Sequence, residues 1–223
     1  MSLKETLGKL QLIVQQLAEE ILSDDKTPLG NALALREISS SIIRENEDFG
    51  AIVFGDLNRF KGINDTFGHK AGDSAINQTG NKIKELFVDQ CEAKAFRQSG
   101  DEFVILFSHK NIKQFKKLAR NFAEISFVLN NQPIKTAMSF GLALIDEKSD
   151  FETLLQRAET ACQQAKIKGD GEIVEWTEEV EKAALINLRA RCNKCGTKIS
   201  CNVPKDRNPN KLTICAFCGE PLT

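Results

Sequence analysis

Leu3, Leu7, Leu10, Val14, Leu17 and Ile21 recur alternately four and three residues apart. This is the a/d spacing of a heptad seam over about three heptads. It reads either as a parallel coiled coil pairing two chains or as an amphipathic helix lying on its own domain; three heptads are marginal alone. Pro28 suits the first turn of a second helix, predicted to run to about Arg44. Residues 51–54 form a short buried strand, 70–87 a helix, and 93–97 and 104–107 the arms of a hairpin. Ile112, Phe115, Leu118, Phe122 and Ile125 are the inward positions of a helix predicted over 111–127. Ile134, Met138, Phe140, Leu142 and Leu144 mark one face of a strand over 134–145. Phe151, Leu154, Leu155, Ala158, Cys162 and Ala165 mark another helix. A short strand over 172–176 and a charged helical connector over 177–188 follow. Helices alternating with strands predict an α/β sandwich; no internal repeat or low-complexity segment interrupts it.

Composition places this pattern in a globular chain. The 223 residues are 41% hydrophobic and 27% charged, enough for one medium domain and a small one. No apolar run approaches the roughly 20 residues of a membrane span, and no basic, then apolar leader opens the sequence. The expected compartment is therefore cytoplasmic, with no membrane partner. Net charge is −1 but uneven: seven Lys/Arg and two Asp/Glu from Leu188 onward give +5, which leaves −6 for the preceding residues.

The candidate chemistry lies in two acidic turns. Ser99-Gly100-Asp101-Glu102-Phe103 sits between the hairpin arms. Gly100 lets backbone approach a ligand where a Cβ would collide, and Asp101 and Glu102 offer the hard oxygens that Mg²⁺ takes. The second turn follows residues 51–54: Gly55-Asp56-Leu57-Asn58-Arg59-Phe60-Lys61-Gly62-Ile63-Asn64-Asp65, then Phe67-Gly68-His69 and Gly72-Asp73. Neighbouring antiparallel strands would bring Asp56 within a few ångströms of Asp101 and Glu102. Backbone N–H groups over 58–61 would meet phosphates at a helix start.

These motifs resemble the GGDEF domain, the diguanylate cyclase family, whose pattern is Asp-x-Asp-x-Phe-Lys-x-x-Asn-Asp-x-x-Gly-His-x-x-Gly-Asp. Residues 24–31 resemble a degraded form of its Asp-x-Leu-Thr-Gly-Leu-x-Asn-Arg opening, 137–143 a later strand and 158–166 its last helix. The resemblance covers about residues 24–176. It implies a palm-like α+β nucleotidyl cyclase sheet and the condensation of two GTP into cyclic di-GMP. It also implies two Mg²⁺ (or Mn²⁺) ions held by Asp56, Asp101, Glu102 and the Leu57 carbonyl. Asp101 falls where a base for the attacking hydroxyl is placed. Asn58, Phe60, Lys61 and Gly100 fall at nucleotide-binding positions, Asn64 and Asp73 at guanine-reading ones, and Lys166 at a triphosphate-binding one. Each chain would hold one GTP, so two chains must face each other, with the N-terminal helix as the pairing element of a homodimer.

Four departures qualify the resemblance. Ser99 replaces a glycine, harmless unless that residue needs a positive φ. Asn58 replaces the second Asp and Gln163 a Tyr. Asp170 stands where a basic residue is usual, and an acid there would repel a triphosphate. The Arg-x-x-Asp inhibitory pattern is absent, because Gln90-Cys91-Glu92-Ala93 occupies its place. Its absence argues against product inhibition through that site, and Asp170 and Ser99 support a competing reading, a degenerate nucleotide-binding module that signals through the C-terminal segment; a palm-type cyclase or oligonucleotide polymerase with another product is a third.

Cys192-x-x-Cys195 and Cys215-x-x-Cys218 have the spacing of a four-thiolate structural Zn²⁺ site. Gly196 and Gly219 follow the second cysteine of each pair, as in zinc-ribbon knuckles. Cys201 is spare, and Cys91 and Cys162 lie in apolar patterns that read as core. The ribbon is basic, which suits contact with a nucleic acid, and docking of a protein or a purely structural role are the alternatives; its partner, protein or nucleic acid, is open. The predicted organisation is an N-terminal helix over 1–23, the GGDEF-like domain over 24–176, a connector over 177–188 and a zinc ribbon over 189–223.

Overall fold

The computed structural model describes residues 3–45, 49–129, 132–146, 148–183, 185–191 and 198–204. The chain divides into two compact units, Met1–Trp176 and Thr177–Thr223. In the first, β1 (Phe49–Leu57) is the central strand of a sheet completed by β2 (Lys94–Ser99), β3 (Glu102–Ser108), β6 (Met138–Leu144) and β7 (Ile173–Glu175). The order is β2-β3-β1-β6-β7, antiparallel except for β6 with β7.

Period-two alternation divides the sheet residues between two cores. Ile52 and Phe54 of β1, with Val104 and Leu106 of β3, bury against α2 (Ala32–Glu45) and α7 (Phe151–Lys168). Ala51, Val53 and Leu57, with Phe103, Ile105 and Phe107, face the opposite way. There they meet α3 (Phe60–Phe67), α4 (His69–Ile83), a π-helical turn over Lys84–Val88 leading into α5 (Asp89–Cys91), and α6 (Ile112–Leu118). Phe87 from the π turn is the hub of this second core, with Phe107, Phe115, Phe122 and Phe140 rings centred 5.2–6.0 Å away. Both faces are covered, so the strands read as continuous apolar runs. Cys91 and Cys162 are buried, as expected.

Several boundaries differ from the sequence expectation. Pro28 precedes α2, which starts at Ala32; Asn31 Oδ1 caps it by accepting from the Ala34 N–H at 3.0 Å. The helix predicted to 127 ends in a 3₁₀ turn at Phe122, and Ile125 and Phe127 belong to β4 (Ile125–Leu129), paired with β5 (Gln132–Thr136). Ile125 is buried and fits both the helical series from Ile112 and the strand alternation with Phe127, so its spacing alone cannot separate helix from strand. The long strand over 134–145 is two strands, β5 and β6, broken at Ala137, and Leu144, expected inward, is 46% exposed at the end of β6.

Helix α1 (Leu3–Leu22) carries the heptad seam. Leu7, Leu10, Val14, Leu17 and Ile21 are all more than half exposed, so this face does not lie on its own unit. The second unit contains α8 (Glu178–Ala183) and a hairpin of β8 (Leu185–Arg191) and β9 (Lys198–Pro204). The connector helix therefore ends before 188: Leu185 to Arg191 alternate apolar with polar from Ile186 onward and pair as a strand. Arg191 pairs with Lys198 and Cys201 with Leu188. Cys192, Cys195, Cys215 and Cys218 lie outside the described residues. No helix among the described residues is long and apolar enough to cross a membrane.

Candidate nucleotide and metal site

The β1–β3 register sets Asp56 directly opposite Glu102. Such opposed residues place their Cβ atoms about 5 Å apart on one face, here the α7 face shared with Phe54. The Leu57 N–H donates to the Asp101 carbonyl at 3.1 Å, which ties the hairpin turn to the end of β1. Gly100 has φ +41°, a conformation that favours glycine. Ser99 does not: among non-glycine described residues only Arg59 and Glu92 have positive φ. The serine in the first glycine's place therefore brings no such strain, and its hydroxyl donates to Glu102 Oε2 at 2.5 Å.

Helix α7 crosses this end of the sheet at very short range. A Cβ on Gly141 of β6 would lie 2.0 Å from the Ala158 carbonyl oxygen, so only glycine admits the helix there. The close approach brings Lys166 Nζ to 2.5 Å from Asp56 Oδ1. Asp56 Oδ1 is buried, and the Lys166 ammonium is the positive charge that meets it there. Burial pushes the Asp56 carboxyl above its ordinary range; the Lys166 ammonium pulls it down, and the charges of Asp101 and Glu102 push it up again. Asp101 is also raised, chiefly by burial, with Lys166 opposing and Glu102 adding to the shift.

A recess of ≈ 90 Å³ lies among Asp56, Glu102, Glu159 and Lys166. At about 30 Å³ per water molecule, it has room for an ion with a little water and none for a nucleotide. Among the described residues no three His, Cys, Asp or Glu side chains are gathered closely enough to hold a metal ion as they stand: Glu102 is turned onto Ser99, and Lys166 lies against Asp56. The donor set still fits a divalent cation. The Asp56 and Asp101 carboxyls are desolvated at adjoining strand ends, Glu102 lies opposite Asp56, and Lys166 already answers the negative charge there as a cation would.

From the end of β1 the chain turns through Asn58 and Arg59 into α3. The Asn58 N–H donates to Ala137 O at 2.7 Å and its carbonyl accepts from Thr136 Oγ1 at 2.8 Å. Arg59 adopts φ 58°, and no side chain caps α3. Lys61 is exposed and Phe60 half-buried against the core. One helix on, the Asn64 amide closes over Gly72: a Cβ there would lie 2.1 Å from Asn64 Oδ1 and 3.0 Å from Phe60 Cε2. Asp73 is the next residue of α4, so the two guanine-reading candidates share one corner, although 57–61 and 69–73 lie on separate elements. Lys26 Nζ stands 2.6 Å from Asp73 Oδ1.

Asp170 does not stand as a bare acid on a phosphate path. It accepts from Asn58 Nδ2 at 2.9 Å and pairs with Arg59 at 2.7 Å. Lys26 and Arg59 are the residues that motif reading overlooked. Both were visible as departures within a motif, Lys26 where the family pattern has Leu and Arg59 at a variable position, but their partners are distant in sequence.

The sequence profile described as "Diguanylate cyclase, GGDEF domain" matches residues 21–172. The chain is 27% identical over 191 residues to diguanylate cyclase DosC of Escherichia coli (strain K12), covering 79% of this chain and 41% of that protein. It is 29% identical over 173 residues to an uncharacterized membrane protein of Staphylococcus aureus (strain USA300), covering 73% and 48%. The chain thus spans less than half the length of these curated relatives. Its fold matches the coiled coil and GGDEF domain of DgcB from Caulobacter crescentus in complex with c-di-GMP, with TM-score 0.65 and 20% identity, covering 77% of this chain and 94% of that one.

Proposed function

Because the chain belongs to the GGDEF domain family, we propose that it condenses two molecules of GTP into cyclic di-GMP and two pyrophosphates. The observation that carries this reading is the pairing of Asp56 with Glu102 at adjoining strand ends, beside a raised Asp101. Asp56, Asp101, Glu102 and the Leu57 carbonyl hold the Mg²⁺ or Mn²⁺ ions. A divalent cation there supplies charge neutralisation on the triphosphate and an acidified 3′-hydroxyl. Asp101, at the hairpin turn tied to the end of β1, is the residue that would accept the proton of that hydroxyl as it attacks the α-phosphorus and pyrophosphate leaves. The uncapped start of α3, with Phe60 and Lys61, receives phosphate oxygens; Asn58, whose N–H and amide are taken by Ala137 and Asp170, shapes the turn beside them, and Gly100 lets the hairpin backbone approach. Lys166 counters charge from the α7 side. Asn64 and Asp73 read guanine, whose N1–H and 2-amino donors adenine lacks.

One site holds one GTP, so the reaction needs two chains, and the exposed seam of α1 is the surface that pairs them. The degenerate-module alternative drew on Asp170 and Ser99. Asp170 has its counter-charge in Arg59, and Ser99 has ordinary backbone, which favours the enzyme. In the second unit, Cys192, Cys195, Cys215 and Cys218 hold one structural Zn²⁺; pairing of Arg191 with Lys198 on either side of the first Cys-x-x-Cys supports a knuckle there. The connector is α8, and the zinc ribbon begins with β8 at Leu185, a few residues before the 189 that the sequence suggested.

The test is purified protein with Mg²⁺ and each nucleoside triphosphate, products separated by chromatography. GTP alone should yield cyclic di-GMP, and Glu102→Ala should lose turnover while melting like the parent. No cyclic dinucleotide from GTP, or a parental rate in Glu102→Ala, refutes the assignment.

A further inference from the structure

Lys26 belongs to a loop that is tightly fastened. Its N–H and that of Thr27 donate to Asp24 Oδ1 at 3.2 and 2.9 Å, the Thr27 hydroxyl adds a third bond at 2.8 Å, and Arg97 clamps Asp24 at 3.0 Å. The Lys26 carbonyl accepts from Asn77 Nδ2 at 2.8 Å, one turn of α4 beyond Asp73. The backbone at Lys26 is therefore fixed beside α4, and from it the side chain reaches Asp73 Oδ1 at 2.6 Å. Building on the guanine reading of Asn64 and Asp73, we infer that Lys26 is a specificity-determining residue of the base pocket, its ammonium donating to guanine O6 beside the carboxylate that takes N1–H and the 2-amino group.

The chemistry is one of matched edges. Guanine presents O6, N1–H and the 2-amino group in a row: acceptor, donor, donor. The Asp73 carboxylate serves the two donors, and O6, which can accept two hydrogen bonds, is left to the neutral Asn64 amide alone. An ammonium next to that carboxylate completes the row, donor against acceptor. Adenine reverses the first two groups, so its 6-amino group would meet an ammonium and its bare N1 a carboxylate. Unpaired groups of this kind are what a polar site discriminates against most strongly. The Lys26–Asp73 pair is half exposed, and such pairs contribute little to stability, so the ammonium can turn onto a base at small cost. Leucine, which the family pattern carries here, offers no donor, so this contact belongs to this chain.

The experiment uses the full chain and α,β-methylene GTP, which cannot condense, beside its 6-thio counterpart, in which a weakly accepting sulfur replaces O6. The parent should bind the oxygen form about tenfold more tightly, one charged hydrogen bond's worth. Lys26→Leu should lose about tenfold on the oxygen form and little on the thio form, bringing the ratio near one, whereas Lys26→Arg should keep it. Asp73→Ala should weaken both. A parental ratio in Lys26→Leu overturns the role of Lys26 while leaving the guanine pocket standing. Unchanged binding of both nucleotides by Asp73→Ala overturns the pocket itself, and with it this inference.

Discussion

Gly72→Ala separates stability from base recognition at a single atom. Gly72 lies inside α4, where alanine is the better helix former by about 1 kcal/mol. The added Cβ would stand 2.1 Å from Asn64 Oδ1, an impossible contact, but the nearest backbone offers no such conflict. What must move is the whole Asn64 amide, with the Phe60 ring, whose Cε2 would lie 3.0 Å away, giving by a few tenths of an ångström. Displacing it from its preferred rotamer costs about 0.5–1.5 kcal/mol, so the two effects nearly cancel and Tm should stay within about 4 °C of the parent. The displaced amide can no longer serve the base. Losing one neutral hydrogen bond costs about 1 kcal/mol, a five- to tenfold rise in Kd for GTP.

Calorimetric titration with α,β-methylene GTP and its ATP equivalent, alongside thermal melts, reads both quantities. The expected signature is weakened GTP binding and a narrowed GTP/ATP ratio in a protein as stable as the parent. Parental GTP affinity would show that the amide at this corner does not touch the base. A fall in Tm beyond about 8 °C would show that the backbone, not the side chain, gives way.

Two further outcomes follow from the charges and the cysteines. Asp56 and Asp101 must be ionised to hold a cation, and both carboxyls are raised, so activity should fail on the acid side above the ordinary carboxylate range. Lys166 lowers both, so Lys166→Ala should move that acid limb to higher pH as well as weaken GTP binding; an unmoved limb in rate–pH profiles would separate Lys166 from the carboxylates. Metal-purified protein should contain one zinc per chain, and Cys195→Ser should open the ribbon to thiol alkylation, since structural zinc contributes on the order of 10 kcal/mol to such folds. Less than about half an equivalent, with disulfides found by mass spectrometry, would refute the zinc assignment.

The acidic turns were legible because their motifs are local. Asp56 ends an apolar run, Asp101 and Glu102 begin another, and antiparallel pairing does the rest. Two of the buried phenylalanines were equally legible, since Phe115 and Phe122 fall on the inward face of the helical series from Ile112, whereas Phe87, the hub of that core, carried no such mark. Periodicity failed where two periods coincide: Ile125 continues the helical series from Ile112, yet it alternates with Ser126 and pairs across to Thr136. It failed again at 185–188, where a charged helix passes into a strand within two residues. Ion pairs were illegible in principle. Lys26 and Asp73 are 47 residues apart, and nothing local to either names the other.

Asp170 illustrates how a departure read one residue at a time misleads. The family pattern places an acid at 58 and a base at 170; here an amide stands at 58 and an acid at 170, which alone would leave the phosphate side of the site one charge more negative. Arg59 restores it. Its guanidinium pairs with one oxygen of Asp170 while the Asn58 amide donates to the other, so the three residues together carry the same net charge as the family's two. The amide at 58 is what makes this arrangement possible, because a carboxylate there would lie against Asp170 and repel it. The geometry is also paid for locally: Arg59 sits in left-handed backbone that costs a non-glycine residue about 1–2 kcal/mol. That conformation turns the chain from β1 into α3, with the two bonds to Ala137 and Thr136 holding Asn58 in place. Asn58, Arg59 and Asp170 therefore form one coupled unit beside the nucleotide site, and the sign of any single substitution within it depends on the other two.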